Sequence, residues 1–133
     1  MKRVLKLFVV IFILNQCFAY ADFIKPDAKI KPEEVIKIQL KSLMKNDAPS
    51  KDNGIKQTWE FAHPNNQRFT GPLDNFTKMI KGESYKMLIG HIGHEILEID
   101  NDNKRALYEV IILGPDKKYL SLIHISEPTR LAT

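Results

Sequence analysis

The spacing of apolar residues changes near the middle of this chain, and that change limits the architectures open to it. Val35, Ile36, Leu40, Leu43 and Met44 recur at three- and four-residue spacing, which builds one apolar stripe along a helix, with Lys37, Lys41 and Lys45 opposite. Pro32 suits a first helical turn, where its missing N–H costs nothing, and Glu33 and Glu34 suit the positive end of the helix dipole. An amphipathic helix from Pro32 to about Asn46 follows. The turn cluster DAPSKDNG separates it from a short helix over Ile55 to Ala62, which stops where Pro64 pushes His63 out of helical geometry. Asn65 to Gly71 reads as a polar loop. Pro72 then opens a third helix, with Leu73, Phe76, Met79 and Ile80 on one side, closing at Gly82.

After Tyr85 the helical spacing is lost. Ile92, Ile96 and Leu97 give Lys86 to Ile99 strand character, broken only by Gly90 and Gly93. Asn101-Asp102-Asn103 supplies residues that tolerate left-handed turn geometry, which predicts a hairpin. Ala106 to Leu113 is rich in Val and Ile, and Gly114-Pro115-Asp116 turns the chain back toward Tyr119. Helices followed by antiparallel strands define an α+β domain, expected over residues 32–119 after a flexible lead-in at 22–31.

The two ends carry separate signals. Lys2, Arg3 and Lys6 precede eight consecutive apolar residues, Leu7 to Leu14, and Ala19-Tyr20-Ala21 offers the small residues of a signal-peptidase site. The reading is a signal peptide at 1–21, cleavage after Ala21, and an exported, periplasmic product with no stable membrane anchor, since a spanning helix needs about 20 apolar residues. Gln16 stands where a lipoprotein signal wants a small residue before Cys17, so acylation there is not expected. Losing three cations and no acid would take the net charge from +4 to +1, which removes the main electrostatic case for nucleic acid. It would also remove Cys17, the chain's only cysteine, and with it any disulfide or thiolate chemistry. At the other end, Leu120 to Arg130 (LSLIHISEPTR) resembles translated sequencing-adapter read-through. Residues 120–133 are then an artefactual tail, His124 carries no functional weight, and the domain lacks its last strands. The plain alternative is a strand over Leu120 to Ile125.

Several short words in the middle of the chain carry a family resemblance. They are the helix ending in Asn46-Asp47, Phe61-Ala62-x-Pro64, Thr70-Gly71-Pro72-Leu73, Phe76 with Met79, and Gly90-His91. Together they resemble an uncharacterised bacterial and plant domain family of the nuclear-transport-factor-2-like (SnoaL-like) superfamily. His63 departs from it, since the family carries Ser before the proline. The resemblance implies a cone: helices held in a curved antiparallel sheet, around a pocket between the first helix and the sheet, with dimerisation through the sheet's outer face. It also implies that an acid/base pair in that pocket could serve an isomerase or cyclase.

Among groups that could carry chemistry, His91, His94 and Glu95 (HIGHE) suggest a metal site. On a strand, however, alternate residues face opposite ways, so His94 would point away from the other two. Two ligands are too few for a closed zinc site, and no metal or cofactor is expected. Asp47, His63, Asp74, His91 and Tyr85 are the candidate acid/base groups for a pocket, with His63, Asp74 and His91 the catalytic candidates. Turn and helix-start roles explain Asp47 and Asp74 without any pocket, and backbone bonding explains His63. Phe69, Tyr85 and His91 are the expected ligand-binding residues, while Trp59, Phe61 and Phe76 read as core. No nucleophile-plus-base arrangement stands out. The expected function is a small-ligand-binding or accessory module, with a cone-fold enzyme and a protein–protein dimerisation module as the alternatives. The partner is an unidentified small ligand or protein.

Overall fold

The computed structural model describes residues 22–126, and of residues 120–126 the backbone alone. Among the described residues four helices precede three strands: α1 (Pro32–Met44), α2 (Asn53–Glu60), α3 (Pro64–Thr70), α4 (Leu73–Lys81), a 3-10 turn (Lys86–Leu88), β1 (Gly93–Asn101), β2 (Arg105–Leu113) and β3 (Lys118–Ser126). The strands form an antiparallel meander in the order β1-β2-β3. Helices cover one face of the sheet, giving a two-layer α+β fold.

α1 begins as its sequence dictates. Pro32 occupies the first turn with Glu33 and Glu34, and Lys37 answers both acids at 2.9 and 3.0 Å. Its stripe serves two cores. Ile36 and Leu40 pack on Ala106, Tyr108, Val110 and Ile112, the even-numbered face of β2. One turn on, Leu43 packs with Ile55, Phe76 and Ile80 of the neighbouring helices. Leu88 touches both clusters, so the 3-10 turn joins the helical half to the sheet. Trp59 packs against Phe76 with the rings tilted by 51° and their centroids 4.9 Å apart, and Phe61 is buried.

The α1–α2 contact is unusually close because Gly54 sits in it. A Cβ on Gly54 would fall 2.1 Å from the Ser42 carbonyl oxygen, so the two backbones could not approach as they do with any other residue there. Asn46, 5% exposed, fixes the turn between them. Its backbone carbonyl accepts from the Gly54 N–H at 2.8 Å, and its side-chain Oδ1 accepts from the Ile55 N–H at 2.9 Å. Its Nδ2 donates to Asp52 at 3.0 Å and to Asp47 at 3.3 Å. The lead-in is also held, because the Gln57 amide exchanges two 2.8 Å hydrogen bonds with the backbone of Ile24.

The cone expected from the family resemblance is not what this chain forms. A cone needs a sheet wide and curved enough to wrap a helix. Here, among the described residues, an open sheet of three strands ends at β1 on one side and β3 on the other, and α1 packs on one of its faces. Two inter-strand spacings of about 4.8 Å cannot enclose a helix about 10 Å across. Two local expectations also change. Asn65 to Gly71, read as a loop, is mostly α3, a helix with no buried residue and hence no apolar stripe to read. Lys86 to Ile99, read as one strand, is a 3-10 turn, a left-handed Gly90 (φ 66) and only then β1. The hairpin turn falls at residues 102–104, where Asp102 accepts from the Lys104 and Arg105 N–H groups. The backbone of residues 120–126 pairs with β2 along β3. The signal-peptide reading of residues 1–21 lies outside the described residues. No described helix is long and apolar enough to cross a membrane.

Two glycine substitutions separate close packing from backbone conformation. Gly54→Ala should lower stability by about 3 kcal/mol or more, since rigid backbone blocks the new methyl. Gly90→Ala meets open space and should cost only the left-handed penalty, about 1–2 kcal/mol. Urea unfolding midpoints of the two variants test the order.

Candidate functional site

The feature with most chemical content lies where the 3-10 turn hands over to β1. Gly90 donates its N–H to the Leu43 carbonyl at the end of α1 at 2.9 Å, and its positive φ then swings the chain so that His91 turns inward. His91 is 3% exposed. Its Nδ1 lies 2.6 Å from the Leu88 carbonyl oxygen, and its Nε2 lies 2.8 Å from Nδ1 of His94. The expectation that His91 and His94 face opposite ways assumed one continuous strand. β1 begins at Gly93, so His91 lies before the alternation starts and the two rings meet.

The hydrogen-bond chemistry fixes the tautomers of this pair. A carbonyl can only accept, so His91 carries its proton on Nδ1 and presents a lone pair at Nε2. His94 must then donate from Nδ1, leaving its own Nε2 as the acceptor. Burial lowers the His94 pKa below the ordinary histidine value, with His91 and Lys41 adding further opposition to a positive ring. Glu95 points to the other sheet face, opposite Ile111. Among the described residues no third His, Cys, Asp or Glu joins the two histidines.

The other candidates are scattered. His63 caps α3, its Nδ1 accepting from the Asn65 N–H at 3.1 Å. Asp74 is an exposed first-turn acid of α4 beside Thr77, Lys78 and Lys81. Phe69 is 92% exposed on α3 and Tyr85 43% exposed before the 3-10 turn, so neither lines an interior cavity with His91. A shallow groove of about 280 Å³ lies between the lead-in and the α1–α2 turn, bordered by Phe23, Ser42, Lys45 and Pro49, away from all of these residues. Asp47 accepts from the Asp52 N–H at 2.9 Å in that turn. A carboxylate meets a tyrosine at Glu98, where the Tyr108 hydroxyl donates at a long 3.4 Å. Burial and the Glu98 charge both raise the Tyr108 pKa.

Comparison with protein-family models, with curated proteins and with solved structures finds no match to this chain. The resemblance to the nuclear-transport-factor-2-like family therefore fails on sequence as it does on the sheet, and export gains no support from these comparisons.

The depressed His94 pKa has a signed consequence. Between the folded value and the unfolded value of about 6.5, the unfolded chain binds more protons, so stability falls as pH drops through that window. Thermal melts should show His94→Gln flattening the fall as pH drops below about 7. An unchanged pH profile in the variant would mean that His94 does not carry it.

Proposed function

We propose that this protein is an association module whose outer sheet face packs against a second copy. One observation carries the reading. An antiparallel sheet with a solvated face normally alternates apolar-in with polar-out. β2 instead places Leu107, Ile111 and Leu113 on the face away from the helices, with Glu109 the only polar residue between them. Leu97 of β1, paired with Glu109, adds to the apolar surface at 46% exposed, and Leu113 is 39% exposed, while Glu95 and Asp100 of β1 border it beside Ile111 and Leu107. The interior space in which a ligand would sit is occupied, since Ile36 and Leu40 rest directly on Tyr108 and Ile112. That leaves the outer face as the surface whose composition asks for a partner.

A second copy suits this face because a flat patch can pair with itself about a two-fold axis. Its size sets the strength. Three nine-residue strands at about 3.3 Å per residue, spaced about 4.8 Å apart, cover about 400 Å² of sheet per copy. The total of about 800 Å² falls below the roughly 1,200 Å² of stable interfaces, so the dimer should be weak and reversible. Sedimentation velocity over a roughly hundredfold concentration range should show a monomer–dimer equilibrium. Leu97→Lys and Ile111→Lys should each hold the chain as a folded monomer. Wild-type protein that stays monomeric throughout would overturn the reading.

A further inference from the structure

We propose that Asn53-Gly54 is a self-modifying site guarded by the turn between α1 and α2, and that its isoaspartyl product cannot rebuild that turn. It is the one Asn-Gly dipeptide in the sequence. Such a pair is reactive because glycine has no side chain to shield its backbone nitrogen. The Gly54 nitrogen attacks Cγ of Asn53 and forms an N–C bond. The Cγ–Nδ2 bond breaks, and ammonia leaves with the proton that the Gly54 nitrogen gave up. Water then opens the five-membered succinimide at either carbonyl. One opening leaves aspartate at position 53. The other leaves isoaspartate, whose main chain runs through the side-chain methylene and is one atom longer.

Three features hold the reaction back in the folded chain. Asn53 and Gly54 lie in the first turn of α2, where ψ is about −42°, and ring closure needs the Asn53 ψ to swing well away from that value. The attacking nitrogen is engaged, since the Gly54 N–H donates to the Asn46 carbonyl at 2.8 Å. Gly54 is also buried, with the Ser42 carbonyl oxygen 2.1 Å from where a Cβ would stand, which leaves no room for a tetrahedral intermediate. Attack therefore requires a local opening in which Asn46 releases Gly54 and Ile55. Asn46 is tied to Asp52, and Asp52 to Lys81, so those bonds set how often the opening occurs. The same contacts make the change one-way. Isoaspartate displaces Gly54 by about 1.5 Å, one bond length, and neither the Ser42 contact nor the two acceptors on Asn46 can follow it. Aspartate keeps the backbone and adds an acid at a helix N-terminus, where negative charge is favoured.

Incubating the full chain at neutral pH and mapping position 53 by peptide mass spectrometry tests the site. Folded wild type should convert at least tenfold more slowly than the same chain in urea. Asn46→Ala should convert severalfold faster than wild type in buffer and at the wild-type rate in urea. Because Asn46→Ala could unfold the chain, Lys81→Gln, at an exposed side chain, provides a second variant. It should keep the wild-type circular dichroism and convert at least twofold faster. On dilution from urea, the purified isoaspartyl chain should fail to regain the native spectrum, whereas Asn53→Asp should regain it. Equal wild-type rates in buffer and urea, a folded Lys81→Gln that converts at the wild-type rate, or an isoaspartyl chain that refolds as Asn53→Asp does would each overturn the proposal.

Discussion

The helical half of this protein depends on one buried amide. After α1 ends at Met44, the chain must reverse within a few residues and lay α2 against the helix it has just left. The N-terminus of α2 exposes N–H groups that need acceptors, and Asp52, its N-cap residue, makes no side-chain cap bond. Asn46 supplies what is missing from outside the helix, accepting from Gly54 through its carbonyl and from Ile55 through its side chain. Its Nδ2 then holds Asp52, and Asp52 holds Lys81 of α4 at 2.8 Å. Lys81 and Asn46 together keep the Asp52 carboxyl below its ordinary pKa, with Lys81 the larger cause. A buried amide stripped of partners costs about 1–3 kcal/mol, and this one joins three helices, so its removal reaches well beyond the turn.

The same turn determines what α1 can do for the rest of the molecule. Because Gly54 brings α2 into contact near Ser42, the C-terminal end of the stripe, Leu43, faces helices, and the earlier residues Ile36 and Leu40 are left for the sheet. Leu88 closes the gap between the two clusters, and its carbonyl anchors His91 three residues later. Packing and the histidine pair therefore share a residue. A change that loosens Leu88 in the core also moves the acceptor that sets the His91 tautomer.

How far this was legible in the sequence depended on whether a residue is paired with a near neighbour or a distant one. The stripe of α1, the apolar side of α4, the hairpin at Asp102 and the strand at Ala106 to Leu113 are local patterns, and each has its counterpart in the structure. α3 escaped because a helix with no buried residue has no period to detect. The histidine pair is visible in the sequence, but strand alternation extended back through Gly90 and Gly93 sets its residues on opposite faces. Two glycines flanking a histidine were the available signal that the strand had not yet begun. The cone failed for a different reason. Short words shared with a family say little about how many strands lie beside one another, and that number decides whether a sheet can curve around a helix.

The strand edges say how copies of this chain would meet. Among the described residues β1 is an open edge carrying Glu95, Glu98 and Asp100 and no Lys or Arg, with its register broken by a bulge at Ile99. Both devices discourage a second strand from adding there. Two β1 edges brought together antiparallel would set these acids against one another across a spacing of about 4.8 Å, where like charges destabilise a pair. The outer face is more apolar, because three of the five β2 side chains on it, Leu107, Ile111 and Leu113, are apolar. Acidic edges with an apolar face favour stacking over sheet extension. Stacking gives a closed pair of sheets, whereas edge addition leaves a free edge at each step and leads toward open assemblies.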